Sequence, residues 1–175
     1  MQVWFLGAAL VVAILGAGWD AATGRIPNPI SYSGMAAGIA LHSALGGWVG
    51  LGSAVLGLVI GGGIFLVFYL IHAMGAGDVK LMAAVGCLAG VTKVLEIALA
   101  GAIGGGLLAI GYMVYRRKIR ATLGNVVHLL QFHWMHGAQS HPELNLSNPQ
   151  AVRMPYGVAI AAGALYSFCV TFLGR

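Results

Sequence analysis

A chain of 175 residues that is 59% hydrophobic and 7% charged, with a mean hydropathy of +0.90, is not an ordinary soluble domain. Its long apolar runs lack the alternation of barrel strands, which leaves an all-α, polytopic membrane protein with about six transmembrane helices. The net charge of +5 and the pI near 9.6 would suggest nucleic acid for a soluble protein, but the basic residues gather in connecting segments, where membrane orientation accounts for them.

The first run, Val3 to Trp19, has neither a basic n-region nor a small-residue cleavage site, so it reads as a retained helix and not as a signal peptide. Thr23-Gly24 and Pro27-Asn28-Pro29 then break it, because proline removes a backbone donor and biases its neighbour away from helical angles. A second helix is expected from Pro29 to about Leu45, ended by Gly46-Gly47, and a third from Trp48 to Ala73. A short fourth helix should run from Asp78 to Leu88 or Val91, a fifth from Val94 to Tyr115, and a sixth from Pro155 to Leu173. The polar stretch Arg116 to Arg153 is too small for a soluble domain. The whole chain, residues 1–175, is therefore expected to be a single transmembrane domain with a cytoplasmic or interfacial loop at about 116–153. Leu123, Val126, Val127, Leu130 and Trp134 fall at helical spacing in that loop, the pattern of a helix lying on the membrane.

Six crossings put both termini on one side. With the termini outside, the cytoplasmic segments hold Arg25, Lys80, Arg116, Arg117, Lys118, Arg120 and Arg153, against Lys93 and Arg175 outside.

The chain has only four acidic residues. Asp78 stands in Met74-Gly75-Ala76-Gly77-Asp78-Val79-Lys80-Leu81-Met82, between the apolar runs Leu51 to Ala73 and Val79 to Val91. A charge within a bilayer is disfavoured by roughly 2.5 to 3.5 kcal/mol on insertion scales, so an acid in that setting points to function. Asp20, at the end of the first run, falls on the same cytoplasmic face, whereas Glu96 and Glu143 lie in or beside connecting segments. Two carboxylates at one face suit peptide hydrolysis. One, ionised, takes a proton from water while the other, protonated, hydrogen-bonds the scissile carbonyl, a division that repulsion and desolvation impose. Such a pair titrates as a unit, and the sequence assigns neither role. The plainer readings are Asp20 in the headgroups beside Arg25 and Asp78 as a helix N-cap.

Gly75 and Gly77 adjoin that acid at a helix start, where glycine lets the backbone turn sharply and a substrate strand come close. The other glycine clusters, Gly61-Gly62-Gly63 and Gly104-Gly105-Gly106, read as helix packing. Lys80 marks the cytoplasmic boundary and can bias the field at Asp78. Cys87 and Cys169 form no CxxC pair, and His128, His133, His136 and His141 show no metal-binding spacing, so no metal or other cofactor is expected.

Gly75-Ala76-Gly77-Asp78-Val79-Lys80 resembles the GxGDxK motif of the type IV prepilin peptidases. Asp20 followed by Ile26-Pro27-Asn28 is similar to that family's first aspartate and its downstream turn, and Pro155-Tyr156-Gly157 to the segment that opens its last helix. The resemblance implies an aspartic endopeptidase of the inner (cytoplasmic) membrane, with Asp20 and Asp78 catalytic. Gly75, Gly77, Lys80, Pro27, Asn28, Pro155, Tyr156 and Gly157 would support the site or bind substrate. It implies the leader and apolar helix of a prepilin or pseudopilin as partner, cut at the cytoplasmic face. The lipid bilayer is the other partner, nucleic acid is not one, and a homo-oligomer is left open. The chain has no room for the CxxC-bearing segment of the larger bifunctional members, so it is similar to the short peptidases that process Flp pilins. Two other readings are a non-catalytic transporter or assembly subunit, and a presenilin-like intramembrane protease. Position separates them, because transport carboxylates tend to lie near the midplane on broken helices.

Overall fold

The computed structural model describes residues 2–70, 74–115, 124 and 155–174. Among these, all regular structure is helical: α1 (Gln2–Thr23), α2 (Asn28–Leu70), α3 (Ala76–Ala89), α4 (Val91–Tyr115) and α5 (Tyr156–Leu173). Helices α1, α2 and α5 and the 91–111 portion of α4 are long and apolar enough to cross a membrane. The interfacial helix expected within residues 116–153 lies outside the described residues, Gly124 excepted.

Straight, the 43 residues of α2 would reach about 65 Å, twice the hydrocarbon core of about 30 Å. They are not straight. Gly47 takes φ 56° and ψ −142°, a conformation essentially reserved for glycine, and the chain doubles back there. Its direction follows from its neighbours: Gly34 faces Ala84 and Gly38 faces Cys87 on the first limb, while Gly57 faces Gly86 and Gly61 faces Met82 on the second. The first limb thus runs parallel to α3 and the second antiparallel. The second and third spans expected from sequence are the two limbs of this hairpin, so the described helical limbs number six.

Helix α3 has 14 residues, about 21 Å of rise, shorter than the hydrocarbon core of about 30 Å, yet it carries the chain from the end of the bundle where α1 finishes to the end where α4 begins. It is an interior helix: every residue from Leu81 to Gly90 is buried. Lipid supplies no hydrophobic drive for that burial, so close packing through small residues has to supply it. A Cβ on Gly57 would overlap the Gly86 carbonyl and one on Gly86 would overlap that of Gly57, so both glycines are needed for the helices to meet. The large apolar side chains that remain exposed, such as Val59, Val67, Leu99, Ile103 and Leu107, form the outer surface, where a membrane protein meets lipid.

Helix α1 packs antiparallel to α3, with Gly16 against Leu81, and antiparallel to α5, with Gly157 against Ala17 and Gly7 against Phe168. Helix α4 is antiparallel to α5, with Gly101 against Ala159 and Gly163 against Ile97. One end of the bundle therefore gathers the end of α1 and the starts of α2, α3 and α5. At the opposite end Gln2 bonds Thr92 at 3.2 Å, and the His42 ring, stacked on Phe5 at 4.0 Å, donates from Nε2 to the Leu88 carbonyl at 3.0 Å. There Ser53 Oγ also accepts the Val91 N–H at 3.2 Å, so both termini at the α3–α4 corner find partners for their free backbone groups.

Some boundaries differ from the sequence expectation. Helix α1 continues past Trp19 to Thr23, because the first obligate break is Gly24 at φ 66°, which puts Asp20 inside the last turn. Helix α4 begins at Val91, so Glu96 lies within a helix, paired with Lys93 at 2.6 Å. Cys87 is buried as expected of a packing residue, but Cys169 is exposed.

Candidate active site

Both aspartates lie at the end of the bundle where α1 finishes and α3 and α5 begin. Asp20 retains only 9% exposure. Its Oδ2 accepts the Gly157 N–H at 3.0 Å, one of the amides that the first turn of α5 leaves without a helical partner. That contact requires glycine, because a Cβ at position 157 would sit 3.0 Å from Ala17 Cα and 3.2 Å from Asp20 Oδ2. The sequence resemblance named Gly157. Its part, donating from the main chain to an acid 137 residues away, has no signature in side-chain chemistry.

Asp78 is 8% exposed. It is the third residue of α3 and not the cap expected from sequence; the cap is Gly75, in extended conformation at φ −82° and ψ 152°. The Gly75 N–H donates to Asp78 Oδ2 at 3.1 Å, the reaching-back half of a capping box, while the α3 dipole favours the negative charge. Gly77 lets the loop after α1 lie across this turn, since a Cβ there would come within 3.2 Å of Ile26 Cβ.

The remaining expected site residues collect at the same end, in second place around the acids. The Pro27 carbonyl accepts the Ile30 N–H at 3.2 Å and opens α2, as the Pro155 carbonyl accepts the Val158 N–H at 3.1 Å and opens α5. Lys80 turns to α2: its Nζ donates to Asn28 Oδ1 at 3.0 Å and lies 5.5 Å from the Tyr32 ring centroid. Tyr32, not singled out from sequence, was legible as a helical neighbour of Asn28 at i+4. Among the described residues neither carboxylate pairs with a cation, so the Asp20–Arg25 pair weighed from sequence is not formed. Also among the described residues, no group of three or more histidine, cysteine or acidic side chains could hold a metal ion.

The sequence model of the type IV leader peptidase family matches residues 7–110. The chain belongs to the type IV leader peptidase family. The matched stretch contains both aspartates and the glycines around Asp78, while Pro155-Tyr156-Gly157 lies beyond it. No curated protein and no solved structure matches the chain.

In this leader peptidase family member the two acids are close enough to feel each other's charge. Both are buried, and each accepts one main-chain amide, Asp20 from Gly157 and Asp78 from Gly75. A carboxyl so placed can keep a proton at a pH where an exposed aspartate has lost it. Two nearby carboxyls that do not ionise together can activate a water and polarise a carbonyl in the same cycle.

Proposed function

We propose that the chain is an aspartic endopeptidase that removes the leader from a type IV prepilin or pseudopilin of the Flp kind. The observation that carries the reading is the pair of buried carboxylates, Asp20 and Asp78, at one end of the helical bundle of a leader peptidase family member. Arg25 and Lys80 lie at the acid end and Lys93 at the other. The positive-inside rule then orients the acid end to the cytoplasm and the termini outward, in the inner membrane. A leader held in the cytoplasm would meet the acids there.

In the proposed reaction the ionised member of the pair takes a proton from a water as its oxygen attacks the scissile carbonyl carbon. The protonated member donates a hydrogen bond to the carbonyl oxygen as negative charge develops on it. Collapse of the tetrahedral intermediate breaks the C–N bond, the departing nitrogen takes up a proton, and the products are a leader carboxyl and a new amino terminus. Gly157 and Gly75 hold the two carboxylates while the proton moves between states, so that the pair is oriented before substrate arrives.

The test is cleavage of a co-expressed Flp-type prepilin by wild type, Asp20→Asn and Asp78→Asn, read as a mobility shift with enzyme amounts matched by blot. Both variants should be expressed and inert. A variant that cleaves at the normal rate would remove its residue from a two-aspartate mechanism. Failure of the wild type on every prepilin offered would overturn the substrate assignment.

A further inference from the structure

Between the second limb of α2 and helix α4 lies an apolar cleft of about 260 Å³. Its α2 wall is Ile64, Phe65 and Phe68, its floor includes Met82 of α3 and Ile160 of α5, and among the described lining residues Tyr156 alone carries a polar side-chain atom. The α4 wall is built almost entirely of alanine and glycine, running from Ala98 through Ala102 and Gly106 to Ala109. Those positions recur every three to four residues, so they form one stripe about 17 Å long on one helix face.

Two features say what the cleft is shaped for. A stripe of small residues lets another helix bring its backbone close, and at this depth a polypeptide has to be helical to satisfy its own N–H and C=O groups. The cleft is also continuous with the acid pair: Met74, in its lining, precedes the Gly75 that binds Asp78, and Tyr156 precedes the Gly157 that binds Asp20. A helix lying in the cleft therefore ends beside the two carboxylates.

We propose that the cleft seats the apolar helix of the polypeptide being cut, the segment that follows the scissile bond and stays with the mature product. The proposal rests on the peptidase reading and adds to it the surface that selects the substrate. The enzyme grips the retained helix between the phenylalanines of α2 and the small-residue face of α4. Specificity then lies in the fit of that helix as well as in the leader.

Gly106 tests this directly. It lines the cleft, and nothing lies within 4 Å of where its Cβ would be, so the side chain of Gly106→Phe starts into the cleft and not against a neighbouring helix. Cleavage of the co-expressed prepilin should fall by about tenfold or more, the scale on which an apolar pocket rejects a misfitting side chain. Gly63→Phe, whose Cβ also meets nothing but which lies outside the cleft, should cleave as wild type does. Equal loss in both variants, or no loss in Gly106→Phe, would overturn the proposal. As a second readout, p-benzoylphenylalanine in place of Phe68, an aromatic side chain already in the cleft wall, in an Asp20→Asn enzyme should crosslink to the prepilin's apolar helix on irradiation. Crosslinks only to lipid, to a second copy of the enzyme or within the enzyme would assign the cleft to that occupant instead. If the wild type cleaves no prepilin, the peptidase reading fails and this proposal with it; if the wild type cleaves and Gly106→Phe cleaves equally well, the docking proposal fails alone.

Discussion

Gly157→Ala separates the stability of the bundle from the geometry of its acid pair. The added methyl would lie 3.0 Å from Ala17 Cα and 3.2 Å from both Cβ and Oδ2 of Asp20, so α5 has to withdraw or the Asp20 carboxylate has to turn. Overpacking of this kind costs about 1–3 kcal/mol, and the gain in helix propensity returns up to about 1 kcal/mol, so the net loss of about 0–3 kcal/mol leaves a folded protein. The amide–carboxylate bond at 3.0 Å is different, because a hydrogen bond to a charged group is worth about 1.5–3 kcal/mol and among the described residues no other donor tethers the carboxylate. If that bond sets the attack geometry, losing it should slow cleavage by about tenfold to a hundredfold. The assay is the prepilin mobility shift over a time course, with thermal unfolding followed in detergent. Gly18→Ala, two residues before Asp20 on the opposite side of α1 and with open space at its Cβ, is the control and should cleave normally. A Gly157→Ala enzyme that is well expressed and cleaves at the wild-type rate would refute the claim that the Gly157 amide positions Asp20.

Two further outcomes follow from the same geometry. Asp78→Asn keeps the shape of the side chain and an acceptor for the Gly75 amide while removing a charge that burial penalises, so its thermal unfolding in detergent should be no easier than that of wild type; a marked fall in stability would show that the charge of the carboxylate holds the fold. Lys80→Ala loses a bond to Asn28 and a contact with Tyr32, which together are worth about 1–2 kcal/mol, and touches neither acid. It should reduce thermal stability modestly while cleavage stays within about threefold of wild type, and an inert Lys80→Ala enzyme with normal expression would place Lys80 in the reaction.

The parts of this molecule that were legible in the sequence are those written in composition. A carboxylate is expensive among apolar residues, so in a chain with four acids Asp20 and Asp78 stand out by composition alone. Gly46-Gly47 announced the reversal inside α2 because glycine alone reaches the φ and ψ found at Gly47. What was hidden depends on the main chain or on helix phase. The amide of Gly157 is chemically the same as every other amide until α5 packs on α1. A shift of the α3 start to Ala76 turned Asp78 from a cap into a third residue that reaches back to Gly75. The apolar cleft was equally invisible, because it is a space bounded by α2, α3, α4 and α5 and no single segment carries its pattern.

The bond between Gly157 and Asp20 also bears on how the protein is made. A chain inserted into a membrane from its N-terminus presents Asp20 early, yet the amide that holds it is encoded 137 residues later. Until α5 has been made that carboxylate has no tether from it, and the arrangement of the acid pair is completed only when α5 enters the bilayer. An acid whose tether lies so far along the chain takes its final geometry only once α5 has packed on α1.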